Sequence, residues 1–301
     1  MGTIIQYLRK FYVKDFRLFY FIPVIVMMGT IIYLNYRHQL QNNMVADGSN
    51  WWRSFLGYWL LYLIPFAVAF LLQFFFIKSI TWHKNYWFWI ILFLAPAFFS
   101  FRVNFHFHQP LLKHFWSGDE LVFWTNSINR IVKVFILLML IFIIWYLKDS
   151  GNQSFYGTST LKNIKPYLLM LLLMAPIVAF ACTRSDFLQT YPDSKFIQQL
   201  SLSSKKTYYI IYELCYGFDF VSIEFFFRGF LILSLYKICG PQCIIPVACF
   251  YCAIHFGKPL GEAISSFWGG ILLGIISYHT KSIWGGLIVH LGIAWMMEAC
   301  S

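Results

Sequence analysis

The run VSIEFFFRGF, residues 221–230, sets a glutamate and an arginine four positions apart among residues that are otherwise almost all apolar or aromatic. On a helix that spacing puts Glu224 and Arg228 on one face within pairing reach. The run lies inside a longer apolar stretch, 208 to 237, which exceeds the about 20 residues a helix needs to cross a bilayer. Ionisable groups at that depth are costly unless they are paired or face a cavity or an ion, so each is read first as a functional candidate. The excess length is read as an interfacial first part of the same helix.

The rest of the chain agrees with a membrane reading. Of its 301 residues 59% are hydrophobic and 12% charged, with 34 Phe, 19 Tyr and 12 Trp, and the mean hydropathy is +0.64. That balance lies outside the soluble range and makes lipid the main solvent. Apolar segments are expected at 18 to 36, 55 to 77, 86 to 101, 129 to 147, 166 to 183, 208 to 237, 241 to 257, 262 to 279 and 283 to 300. The fold class is thus all-α, a polytopic transmembrane bundle of about 8 spans. No polar stretch is long enough for a separate globular unit, so residues 1–207 and 208–301 are read as N-terminal helices and a four-helix core within one membrane domain.

A formal net charge of +11 raises the question of nucleic acid, but the basic residues are scattered singly through connectors and form no stripe. They suit helix ends resting on anionic lipid headgroups instead. Arg9, Lys10, Lys14 and Arg17 against Asp15 favour a cytoplasmic N-terminus, as does the lysine excess between Lys148 and Lys165, and the setting expected is a bacterial cytoplasmic membrane. Met1 to Arg17 is read as a retained juxtamembrane helix rather than a cleaved leader. The seven cysteines, mostly within or at the ends of apolar segments, are read as small hydrophobes without a disulfide framework. Connectors 102 to 128 and 184 to 207 are long enough to cover one mouth of the bundle.

Three further polar groups stand in the C-terminal segments. His255 ends the apolar run CIIPVACFYCAIH and His290 lies inside SIWGGLIVHLGIAW. With Glu224 they offer one carboxylate and two imidazoles from three helices, enough for three zinc ligands with a fourth position left to water or substrate. A bound Zn2+ would polarise a carbonyl and lower the pKa of its water from about 15.7 towards 7. The plainer alternatives are a buried Glu224–Arg228 ion pair that fixes packing and histidines that hydrogen-bond across helix interfaces. Glu262, at the start of the helix after Pro259, is a candidate to orient a histidine from behind, or a helix-start residue only.

From IEFFFRG at 223–229, through YCAIHFGKPLGEAISSFWGGILLG at 251–274, to SIWGGLIVHLG at 282–292, the chain resembles the CPBP family of intramembrane metalloproteases, relatives of the CAAX prenyl endopeptidase and of bacteriocin-immunity proteins. The resemblance covers about the last 90 residues. It implies a helical core around an intramembrane chamber open to peptides, with Glu224, Arg228, His255 and His290 as site residues. It also implies that Glu224, His255 and His290 take the metal or position the hydrated carbonyl. Partners would be membrane lipids and a peptide or protein substrate, with no nucleic acid.

The chain departs from the family pattern at three positions. The family has two adjacent glutamates where this chain has Ile223 and Glu224, a Phe four before the histidine where it has Tyr251, and an asparagine four after the last histidine where it has Ala294. The resemblance gives the first glutamate a part in deprotonating water and the asparagine a part in stabilising the oxyanion. Two functions are therefore expected, a metal-assisted endopeptidase or a scaffold that only binds a peptide, lipid or membrane partner. A transporter is disfavoured because neither inverted repeats nor a second set of intramembrane charges is evident. Gly269, Gly270, Gly274, Gly285 and Gly286 are read as close-packing positions. His106 and His108 are left outside the site.

Overall fold

A computed structural model describes residues 2–45, 50–78, 80–158 and 163–300. Met1 of the expected juxtamembrane helix and Lys162 of the lysine-rich connector lie outside the described residues. Among the described residues fourteen α-helices follow one another: α1 Gly2–Lys10, α2 Leu18–His38, α3 Leu40–Val45, α4 Trp51–Phe76, α5 Tyr86–Asn104, α6 Gln109–Leu112, α7 Gly118–Ile144, α8 Lys165–Ala181, α9 Ser185–Thr190, α10 Lys205–Glu224, α11 Ile232–Cys239, α12 Ile244–Ala253, α13 Leu260–Thr280 and α14 Trp284–Glu298. Among the described residues there is no strand, only an isolated bridge between Thr158 and Ser282.

Among the described residues six stretches are long and apolar enough to cross a membrane: Leu18–His38, Trp51–Phe76, Tyr86–Leu112, Gly118–Asp149, Lys205–Ala253 and Leu260–Thr280. The protein is an all-α, integral membrane helical bundle. The shorter apolar helix α8 packs beside the long ones. α12 lies against α13 and α4, α14 against α8 and α10, and α10 against α7. A large core joins Phe66, Phe70, Phe88, Phe99, Phe226, Phe227, Phe230 and Phe250 with the aliphatic faces of these helices. The aromatic excess of the sequence therefore fills the interior as well as facing lipid.

Local chemistry explains several helix ends. The Asn50 side chain accepts from Trp52 N and Arg53 N at the head of α4, and Asn85 accepts from Trp87 N at the head of α5, each satisfying N–H groups that the first turn leaves free. Asp119 and Glu120 stand in the first turn of α7, where negative charge complements the helix dipole. This helix begins at Gly118 rather than near residue 129, because its polar first half packs Phe123 on Tyr208 of α10. The expected covering loop at 102–128 is correspondingly short.

The connectors sort onto two ends of the bundle. At one end Asn35 Nδ2 donates to Phe256 O, Tyr36 Oη donates to Lys258 O, and Glu298 accepts from Asp193 N. At the other, Gln73 Nε2 donates to Gln242 O and Lys148 Nζ donates to Ser234 Oγ. One cysteine reading is corrected at the first end. Cys182, capping α8, is disulfide-bonded to Cys300, just beyond α14, with Cα atoms 5.6 Å apart. The pairing was hidden because 118 residues separate the two in sequence and only the packing of α14 on α8 brings them together. The five other cysteines are free and buried.

Candidate active site

Glu224 is the last residue of α10, and the chain passes from it into a π-helical turn, Phe225–Leu231, before α11 begins. Such wide turns inside helices are uncommon and concentrate at functional sites. The sequence carries no visible signal for this one. Arg228 sits within the turn, and both charged side chains are wholly buried. Arg228 Nε lies 3.6 Å from Glu224 Oε2, too long for a hydrogen bond, and no guanidinium nitrogen finds a hydrogen-bond partner among the described residues. The guanidinium carbon stands 4.4 Å from the Tyr251 ring centroid. Arg228 thus acts on Glu224 as a nearby charge held in place by stacking, not as a bidentate clamp.

The other carboxylate oxygen is fixed from α14. Glu224 Oε1 and His290 Nδ1 are 2.9 Å apart, and the imidazole rests edge-on against Phe220 with ring centroids 4.6 Å apart. A carboxylate can only accept, so Nδ1 carries the proton and Nε2 presents its lone pair. Facing that lone pair is the hydroxyl of Tyr251 on α12, at 3.2 Å. His255 follows α12 and sends Nδ1 back to Tyr251 O at 2.8 Å, its ring edge-on to that of Tyr251. Close approach of α14 depends on Gly286, since a Cβ there would fall 2.3 Å from Glu224 Oε2.

Of the residues singled out in the sequence, Glu224, Arg228 and His290 come together directly, and His255 joins them through the backbone of Tyr251. Tyr251 itself was legible only as a departure from the family's Phe. Its added hydroxyl is what reaches His290. Of the two readings of Glu262, the structure places it in the first turn of α13, with a tyrosine as its partner. It accepts from Tyr191 Oη at 2.9 and 3.0 Å, while Lys258 Nζ stands over the Tyr191 ring at 4.9 Å. Burial raises the phenol of Tyr191 above its ordinary value, which keeps it a donor. Together they tie the connector before α10 to the head of α13.

Ile223 is buried in the large apolar core, and Ala294 in a smaller cluster with Phe123, Ile197, Tyr212 and Tyr216. A Cβ on Gly270 would meet Ala248 at 3.0 Å and one on Gly285 would meet Tyr167 at 2.2 Å, as close packing requires, but one on Gly269 would meet nothing within 4 Å. His106 and His108 sit between α5 and α6, with Nδ1 of His106 paired to Gln109 Nε2.

The donor chemistry bears on zinc. Glu224 Oε1 is taken up by His290 Nδ1, so this carboxylate backs an imidazole instead of standing as a third ligand, and His290 Nε2 faces the Tyr251 hydroxyl. His255, held at Nδ1 by a carbonyl, is oriented as a metal-ligating histidine would be, but it has no two companions among the described residues. Among the described residues no group of three or more His, Cys, Asp or Glu is placed to hold a metal ion. The arrangement does not fit a three-ligand zinc site, and no step below runs through a metal.

Residues 209–296 match the family model of the type II CAAX prenyl endopeptidase Rce1-like proteins. The matched stretch, 88 of the 301 residues, contains Glu224, Arg228, Tyr251, His255, Glu262 and His290, and over that length the chain is similar to CPBP, CAAX-protease-like proteins. Comparison with curated proteins and with solved structures gave no match.

Proposed function

We propose that the protein is an intramembrane endopeptidase that hydrolyses a peptide bond of a membrane-associated protein or peptide. The observation that carries this reading is the Glu224 Oε1 to His290 Nδ1 contact of 2.9 Å, formed at a wholly buried carboxylate within the stretch that matches the Rce1-like family. Glu224 fixes the tautomer and orientation of His290 and stabilises the imidazolium that forms when Nε2 takes a proton from water. Arg228 supplies the opposite charge that keeps a carboxylate tolerable without water around it. His255, held at Nδ1, leaves Nε2 available to a substrate group.

The test is cleavage of lipidated and unlipidated peptides by the purified full chain in lipid nanodiscs, with zinc content measured alongside. Glu224→Gln and His290→Ala are expected to lose about 10³-fold or more of kcat, the scale on which an orienting acid or the base itself matters in a coupled unit. Identical peptide patterns for wild type and both variants would refute the proposal, leaving a scaffold that binds without cutting. Stoichiometric zinc lost together with activity in both variants would restore the metal-assisted route.

A further inference from the structure

Hydrolysis of an amide asks for a base toward water, a donor toward the oxyanion, and a proton for the leaving amine. On the endopeptidase reading, on which this inference rests, His290 backed by Glu224 supplies the first and the third. The second is open. The asparagine that the family resemblance implies is Ala294 here, shut among Phe123, Tyr212 and Tyr216. The backbone around Gly285 and Gly286 is closed by Tyr167 and by Glu224 Oε2, each within 2.3 Å of where a Cβ would lie. The guanidinium of Arg228 is wholly buried and stacked on the Tyr251 ring.

What borders the base is the hydroxyl of Tyr251. It is a neutral O–H donor, 3.2 Å from His290 Nε2, so a carbonyl whose carbon is within reach of a water on Nε2 also has its oxygen within reach of this phenol. Its aromatic ring is fixed by Arg228 at 4.4 Å, by Phe227 edge-on at 5.0 Å and by His255 edge-on at 4.7 Å. Its own carbonyl is held by His255. Such a donor is in place before charge develops, which is what makes an oxyanion contact effective.

We propose that Tyr251 is a catalytic residue whose hydroxyl donates to the substrate carbonyl oxygen and stabilises the oxyanion, the role left vacant at Ala294. In the resting site the hydroxyl donates to His290 Nε2, and a bound carbonyl takes over as acceptor and frees that lone pair. The water oxygen then bonds to the carbonyl carbon, its proton passes to Nε2, and the carbonyl π pair moves onto the oxygen that accepts from Tyr251. On collapse the pair returns, the C–N bond breaks, and the proton on Nε2 goes to the departing nitrogen.

Tyr251→Phe tests this in the full chain in nanodiscs, and the family resemblance places Phe at this position, so the helix packing tolerates it. Removing one oxyanion donor is expected to lower kcat by about 10²- to 10³-fold with KM within about twofold. A peptide phosphinate, which carries anionic oxygens where the carbonyl stood, should lose inhibition by a similar factor, while a hydroxyl that only steadied His290 would leave phosphinate affinity unchanged. Wild-type cleavage with kcat of Tyr251→Phe within about threefold, or with undiminished phosphinate affinity, overturns the assignment and leaves the endopeptidase reading standing. Absence of cleavage by the wild type under every peptide tried overturns both.

Discussion

Gly286→Ala probes the Glu224–His290 dyad without replacing an ionisable or hydrogen-bonding side chain. The added methyl carbon would fall 2.3 Å from Glu224 Oε2 and 3.5 Å from Arg228 Cγ, so the carboxylate contact must open to about 3.4 Å to become ordinary. The required movement is about 1 Å, and a displacement of that size costs on the order of 10²-fold in rate when geometry is the source of catalysis. Withdrawal of Oε2 turns Oε1 away from His290 Nδ1, now 2.9 Å distant, and loosens the tautomer control. The stability change is smaller, because overpacking costs about 1–3 kcal/mol while alanine gains about 1 kcal/mol over glycine within a helix. Gly269→Ala is the control, since nothing lies within 4 Å of its would-be methyl. The assay is peptide cleavage together with thermal melting in nanodiscs. Gly286→Ala with kcat within about threefold of wild type, at unchanged melting temperature, would refute the claim that the Glu224–His290 contact sets the rate.

Two further outcomes follow from burial. Arg228→Leu leaves Glu224 buried without its counter-charge, a loss worth about 3–5 kcal/mol when one partner of a buried pair is removed, and cleavage should fall by at least about tenfold; wild-type turnover in a folded Arg228→Leu protein would make the pair packing only. Ile223→Glu and Ala294→Asn introduce the polar residues found at these positions in the family the chain resembles, yet each enters an apolar cluster, so each should lower the melting temperature, by about 1–3 kcal/mol of stability for the neutral asparagine, without raising cleavage. A rise in hydrolysis by either variant would show that these positions reach the site after all.

The membrane class and the helical fold were legible because apolar length is read directly from the chain, and so were the ionisable groups, since each stands out against hydrocarbon. Helix ends were less so. α7 was placed late because its first turns, with Asp119, Glu120 and Asn126, read as polar connector, although Phe123 among them is buried inside the bundle. The π turn after Glu224, the Cys182–Cys300 bond and the Tyr251 hydroxyl's reach to His290 all depend on how distant helices pack, and residue spacing along one helix holds no record of that. The partner of Glu262 was not legible for the same reason: Tyr191 is 71 residues away.

The same packing explains how two residues 66 positions apart come to sit within one hydrogen bond. Asp219, five residues before Glu224, pairs with Arg102 of α5 and lies 3.8 Å from Arg130 of α7. Arg130 in turn pairs with Asp193 and with Tyr212 Oη at 2.8 Å. Glu298, eight residues after His290, accepts from Asp193 N at 2.8 Å and from Ser194 Oγ at 2.9 Å. A seam of charge-assisted contacts thus runs from the helix that carries Glu224, through α7 and the connector after α9, to the helix that carries His290. Contacts of this kind are directional and strengthen where water is scarce, whereas greasy helix faces slide over one another with little preference. The seam therefore sets the register of α10 against α14, and the glycine at 286 sets their distance. The dyad is the place where register and distance are both read out.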